Sequence, residues 1–235
     1  HQHWLQRHEL LFWILGCVPA EREVSMPATY DNAKQAVDFA VTTLGSGNFT
    51  IGAGADRVAM VCLATVGNPG AISAVSCGGQ SGSITPVASG DSPTWFFKIF
   101  EVINPSSGTQ SASVTWTNSV TAFVTVITAT GSSGLNNGIY SENVAGNNTS
   151  LNFTSNADDL TASFSGNGNT DTVASSNQTQ RISGTEVGAD TGPGTSNPTH
   201  TWTHTGNSEV TACGANFVAA GGGGGANNSL AWITA

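Results

Sequence analysis

The chain alternates apolar and polar residues in short runs. In Ser111–Trp116 the order Ser-Ala-Ser-Val-Thr-Trp places Ala112, Val114 and Trp116 on one face of an extended strand and hydroxyls on the other. The longer stretch from Gln110 to Gly131, QSASVTWTNSVTAFVTVITATG, keeps this β-branched character throughout. Similar runs recur roughly every 8–15 residues, separated by clusters of Gly, Asn, Ser and Pro. They predict strands at Val37–Leu44, Arg57–Val66, Ala71–Cys77, Ile84–Ala88, Thr94–Ile103, Ser111–Trp116, Ala122–Thr130, Ser150–Thr154, Leu160–Ser165, Thr179–Gly184, Thr199–Thr205 and Glu209–Ala219. No segment between Gly45 and Ala235 has a helical period. Asn137-Gly138 and Asn167-Gly168 suit tight turns that need positive φ. Asn104-Pro105-Ser106-Ser107-Gly108 reads as a turn between two strands. The expected fold is all-β: a single antiparallel β-sandwich of jelly-roll type spanning residues 26–220.

The two ends differ from this body. Residues 1–25, HQHWLQRHELLFWILGCVPAEREVS, hold two of the six tryptophans and three of the five histidines. Trp4–Cys17 would form one short apolar helix. Four readings of it stay open. Leu15-Gly16-Cys17 resembles the end of a lipobox, although Leu10–Leu15 is short for a signal peptide and Glu9 sits before it. A transmembrane anchor would need a longer apolar run. The segment could also be upstream sequence before a start at Met26, or a real apolar arm buried against a partner. At the other end, Gly221–Gly225 reads as a flexible hinge. The apolar Ser229-Leu230-Ala231-Trp232-Ile233-Thr234 that follows suits either pairing with another subunit's sheet edge or folding back on its own sheet.

Composition narrows the function classes. Charged residues make up 9% of the chain, against about 25% in ordinary soluble domains. From Met26 onward only Lys34, Arg57, Lys98 and Arg181 are basic, and the formal net charge is −9. Phosphate binding needs clustered Lys and Arg, so nucleic acid is not an expected partner. A hydrophobic fraction of 38% in periodic runs argues against disorder. Cys17, Cys62, Cys77 and Cys213 have no CxxC or His–Cys metal spacing. Cys62 and Cys77 could bridge neighbouring strands, but the simpler expectation is buried free thiols acting as small hydrophobes.

Candidate chemistry is sparse. In Thr199-His200-Thr201-Trp202-Thr203-His204-Thr205 the side chains of His200, Trp202 and His204 share one strand face. An exposed Trp202 flanked by these histidines would stack on a surface glycan; packed inward, it would be ordinary core. Histidines four apart on a strand are separated by roughly 13 Å, too far to share one metal. Asn167, Asn169, Asp171, Asp158 and Asp159 faintly suggest calcium but lack a distal Glu ligand in register, and turn chemistry accounts for them. Asp38, Asp91, Glu101, Glu186 and Asp190 form no evident general-acid pair, and there is no nucleophile elbow or P-loop. Arg57 and Arg181 are expected to pair with Asp56, Glu186 or Asp38. The Asn-x-Ser/Thr sequons that include Asn48, Asn152 and Asn177 matter only in a secreted protein. No catalytic residue, metal or cofactor is expected.

Several segments, in order, resemble one β-sandwich family of tailed-phage and environmental genomes. Gly54-Ala55-Asp56-Arg57-Val58-Ala59-Met60-Val61 looks like its G-x-[ND]-R-x-L-x-V strand, and Val75-Ser76-Cys77-Gly78-Gly79-Gln80 like its V-x-Y-G-G hairpin, with Cys77 where an aromatic is usual. Phe100–Gly108 is similar to its Y-x-L-x-N-P-x-x-G turn, Ala112–Thr117 to its V-T-V-T strand, and Gln178-Thr179-Gln180-Arg181 to its Q-T-x-R element. The resemblance spans about Tyr30 to Ala220 and implies a non-enzymatic virion component. With the mismatched ends, the expectation is a capsid decoration or surface protein made in the host cytoplasm. It would be held on the virion surface by arms that contact the major capsid protein and copies of itself, with no membrane partner. The candidate assembly residues are Leu11, Phe12, Trp13, Leu230, Trp232 and Ile233. The alternatives are a receptor- or glycan-binding module using His200, Trp202 and His204, and a strand-donating filament subunit.

Overall fold

β-branched and aromatic residues alternating with small polar ones favour extended backbone, and the computed structural model contains strands and no helix among its described residues, which are 26–143, 146–167, 173–184, 186–195, 197–206 and 209–221. The expected arms, including Leu11, Phe12, Trp13, Leu230, Trp232 and Ile233, lie outside the described residues. The strands are β1 (Thr29–Gly45), β2 (Phe49–Ile51), β3 (Val58–Val66), β4 (Ile72–Cys77), β5 (Gln80–Ser81), β6 (Ala88–Asp91), β7 (Trp95–Ile103), β8 (Gly108–Gln110) and β9 (Ala112–Thr130). They continue as β10 (Ser132–Asn143), β11 (Asn148–Asn152), β12 (Leu160–Asn167), β13 (Val173–Ser176), β14 (Thr179–Ile182), β15 (Val187–Pro193), β16 (Thr199–His204) and β17 (Val210–Ala219). The all-β antiparallel sandwich expected from the sequence is the observed architecture.

The strands divide by position in the chain. Residues before Gly131 form the first sheet, in the order β5-β4-β9-β3-β7-β6 with β1 also on β9, and a small β2–β8 ribbon. Residues after it form a second sheet, β10-β17-β12-β15-β14, and a third, β11-β16-β13. Gly131 joins the halves in the left-handed region (φ 66°), where an added Cβ would lie 2.6 Å from the Pro27 carbonyl oxygen. Met26 bridges to Ala220, so both ends of the body meet beside that joint.

Three apolar layers follow from the alternation. Met60, Cys62, Phe97, Ile99 and Ile127 of the first sheet pack against Phe164, Ala189, Cys213 and Phe217 of the second. The opposite face of the first sheet is also buried, because the sheet bends over itself. Ala112, Val114 and Trp116 from the first half of β9 and Val124 and Val126 from the second half enter one cluster with Val61, Leu63 and Phe100. The bend falls where β1 slips register around Asp38–Thr43, with Ala40 in the left-handed region (φ 53°). A third cluster, Leu151, Phe153, Trp202 and Ala212, lies between the second and third sheets.

Differences from the expected strands have local causes. Ser111–Trp116 and Ala122–Thr130 are one strand, β9, because β1 pairs with both stretches, across a register slip between Thr115 and Val120. The expected strand Ile84–Ala88 is shifted to Ala88–Asp91, where β7 supplies a partner. Asn137-Gly138 is not a turn: it is an irregularity inside β10, with Asn137 at φ 50° and the register slipping between Asn136 and Ile139. The Asn104–Gly108 turn is present, with Asn104 and Gly108 both at positive φ.

Cys62, Cys77 and Cys213 are free and buried. Cys62 enters the layer between the sheets and Cys77 the fold of the first sheet, so they point to opposite faces and form no bridge. Burial pushes the Cys77 and Cys213 thiols up from 9.0 to about 12, and Cys62, beside Cys213, also well above its usual value. A raised pKa in the fold favours the protonated thiol. Its contribution to stability is complete below the ordinary thiol pKa and is lost as pH rises from there towards the folded value. In a Cys17→Ser chain, none of the three thiols should react with an aromatic disulfide reagent at pH 8 until denaturant is added, and the urea midpoint should fall from pH 9 upward. Rapid labelling of the native chain would contradict this burial.

Candidate functional site

β12 carries Thr161, Ser163, Ser165 and Asn167 on one face and Leu160, Ala162 and Phe164 on the other. The apolar face meets the first sheet. The hydroxyl face would suit solvent, but it is fully buried, because the third sheet covers it. β16 lays His200, Trp202 and His204 directly over these hydroxyls, at 1%, 0% and 1% exposure. The face shared by the three residues is therefore as expected, and its direction is inward. An exposed Trp202 stacking on a glycan is corrected: its ring fills the cluster with Phe153 and Leu151, and its Nε1 donates to Ser163 Oγ at 2.9 Å.

Asp190, from β15, completes the arrangement. Its Oδ1 accepts from Ser163 Oγ at 2.6 Å and lies 2.8 Å from His200 Nδ1. Thr161 Oγ1 lies 2.8 Å from His200 Nε2 and donates to the Gly192 carbonyl at 2.9 Å. Thr161 has a single proton to share between Gly192 and His200 Nε2, and one proton is shared between His200 Nδ1 and Asp190 Oδ1. Asp190 Oδ2 meets no donor among the described residues, so Ser163 and His200 supply all the compensation this buried carboxylate has. A second cluster sets His204 Nε2 3.1 Å from Ser165 Oγ and Nδ1 2.7 Å from Asn167 Nδ2. Phe153 packs on His200, with ring centroids 4.5 Å apart.

A hydroxyl, an imidazole and a carboxylate in line have the connectivity of a nucleophile, its base and the group that orients the base. Here Thr161 is at 0% exposure and His200 at 1%, so the chain of groups is enclosed between two sheets, and His200 also lines a cavity of about 240 Å³ with Gln178, Gly192 and Pro198. Sequence reasoning placed the two histidines together but missed Asp190, Thr161 and Ser163, which come from strands whose pairing is long-range. The available signal was a run of alternating hydroxyls on β12 with no charge among them.

Three other carboxylates hold backbone across the fold. Asp31 Oδ2 accepts from the Gly52 amide at 2.8 Å and from Thr128 Oγ1 at 3.1 Å. Glu101 accepts from the Leu135 amide, tying the first sheet to β10. Asp159 accepts from the amides of Asn156 and Ala219, at 2.8 and 3.0 Å. Asn169 and Asp171 of the faint calcium pattern lie outside the described residues, and among those described no group of three or more His, Cys, Asp or Glu gathers to hold a metal. The expected arginine ion pairs are corrected. Arg57 donates to the carbonyls of Pro105 and Gly54, at 2.7 and 2.6 Å, pinning two turns. Arg181 donates from Nε to Thr191 Oγ1 at 2.7 Å and lies 3.7 Å over the Tyr30 ring.

Replacing His200 by Ala leaves Asp190 buried with one partner fewer and should lower the unfolding free energy by about 3–5 kcal/mol. Ser150→Ala, on the outer face of the third sheet, should change it by less than about 0.5 kcal/mol. Urea denaturation of both variants checks this; similar small losses would contradict a compensating role for His200. Comparisons with protein-family models, with curated proteins and with solved structures find no match to the chain.

Proposed function

We propose that the chain is a non-enzymatic structural protein of a virion, a decoration or surface component. It sits on a shell of major capsid protein and on copies of itself, and its terminal segments make the attachment. The observation that carries this reading is the use of ionisable groups: Asp31, Glu101, Asp159, Asp190 and Arg57 are each engaged by backbone or by a facing strand, as suits a rigid body rather than a reactive cleft. The motifs that resemble the phage family fall at coherent places in the fold. Gly54–Val61 leads into β3, Val75–Gln80 is the β4–β5 hairpin, and Phe100–Gly108 is the turn out of β7. β1 adds exposed Phe39 (68%) and Val37 to the outer side of β9, an apolar edge suited to contact between subunits. The net charge of −9 disfavours packaged nucleic acid as the partner.

The test is incorporation. Co-produced with the capsid shell of its own genome, the full chain should sediment with particles. A chain lacking residues 226–235, or carrying Leu11→Ser, Phe12→Ser and Trp13→Ser, should remain in the soluble fraction. Normal incorporation of both variants would remove the arms from the reading, and failure of the full chain to enter particles would remove the virion.

A further inference from the structure

Arg181 lines a cleft of about 420 Å³ formed by the start of β1, the loop that precedes β12, and strands β14 and β15. Three features set this arginine apart from the other described cations. It is fixed: Nε donates to Thr191 Oγ1 at 2.7 Å, and Thr191 itself is buried. Its Cζ lies 3.7 Å from the centroid of the Tyr30 ring, which restrains the rest of the group. No carboxylate or other acceptor among the described residues takes its two Nη groups, whereas Arg57 gives Nε and Nη1 to carbonyls and Lys98 faces Asp91 at 4.0 Å; Lys34 is exposed but has neither the Nε-type anchor nor the ring contact that order Arg181. In a chain with a net charge of −9, a pre-ordered guanidinium with two unengaged Nη groups stands ready for a planar bidentate anion.

We propose that this cleft binds a monocarboxylate saccharide, a uronic or sialic acid, with the sugar carboxylate on Arg181 Nη1 and Nη2. A carboxylate alone would leave most of the volume empty, since the cleft falls within the roughly 300–1,000 Å³ range of small-molecule sites. The remaining wall suits a polyol: Thr29 and Thr179 are exposed hydroxyl residues, while the exposed Pro27, Ala157 and Pro193 offer apolar surface to the ring carbons. Asp158 and Asp159 also line the cleft, so its wall carries negative charge of its own, which disfavours a ligand with a second anionic group such as a phosphosugar or a polyanion. Arg181 and Tyr30 are far apart in sequence and come together only because β14 is the outer strand of the second sheet and lies beside β1.

The binding is independent of any attachment to a shell, and so is its test. The full chain, ¹⁵N-labelled, is titrated with glucuronate and N-acetylneuraminate. Neutral glucose, acetate and an acetylated dipeptide carboxylate serve as counterparts. The acidic sugars should bind saturably and shift the amides of Ala28, Tyr30 and Gly192. Glucose and acetate should bind at least about tenfold more weakly, and Arg181→Gln should weaken the acidic sugars by about tenfold or more, roughly 1.4 kcal/mol. If Arg181→Gln does not fold, Thr191→Val removes only the Nε acceptor and should still give a clear loss of affinity. Unchanged affinity in a folded Arg181 variant overturns the proposal. So does equal binding of acetate and sugar acids, or saturable binding of the dipeptide with none of the sugar acids.

Discussion

The second sheet is buried on both faces, and its two faces are chemically opposite. Phe164, Ala189, Cys213 and Phe217 meet an apolar partner, while Thr161, Ser163, Ser165 and Asp190 meet imidazoles and an indole N–H. This alternation inside β12, β15 and β17 fixes everything stacked on it. A one-residue slip of β12 would present Phe164 to the histidines and Ser163 to the first sheet, stranding buried polar atoms on one side and apolar surface on the other. Apolar packing is tolerant of small displacements. The hydrogen-bonded layer is not, because its bonds weaken steeply once donor and acceptor move out of range or out of line. The third sheet is thus held in a single register by Asp190, His200 and Ser163, while burial of Trp202 and Phe153 supplies most of its adhesion.

Scarcity of charge has a structural counterpart. With so few ionisable side chains, four of them act as staples: Asp31 across β1 and the loop after β2, Glu101 from β7 to β10, Asp159 from its loop to the end of β17, and Arg57 between two turns. Each engages a backbone group or a facing strand. Arg181 departs from this use, held by Thr191 and Tyr30 while its outer nitrogens face a cleft. A group ordered at its base and open at its tip loses little freedom on taking a partner, which is the condition for binding weak polar ligands at useful affinity.

The body of the fold was legible wherever alternation was strong, as in Ser111–Trp116 and Arg57–Val66. It was hidden where local signals competed with long-range pairing. The first turns of β1, Thr29–Ala36, read as polar because one edge of that strand is open. β15 went unseen because Val187–Pro193 is mostly Gly, Ala, Asp and Pro, residues of low strand preference that are favoured here by their buried position. Asn137-Gly138 carried a strong turn signal that became a bulge once β17 supplied a continuous partner. At the polar layer, the pattern showed which residues share a face of β16 but not which way the face points. That depends on β12, whose hydroxyls suit either water or a buried histidine. The Arg181 cleft was not legible at all, since its two principal residues are brought together only by the packing of the two halves.

The division of the chain at Gly131 shapes how the protein can come into being. Every strand of the first sheet has been made by Thr130, yet the strands that cover its Met60–Phe97–Ile127 face end only at Ala219. At roughly 5–20 residues per second, a ribosome needs on the order of 5–20 s to supply them. During that interval a complete sheet exists with one apolar face uncovered. β17 pairs with both β10 and β12 and is the last of the described strands to emerge, so the second sheet cannot close around its centre until synthesis of the body is finished. The nascent chain is therefore most vulnerable to self-association late in translation, and the open apolar edge at Phe39 is presented throughout that window.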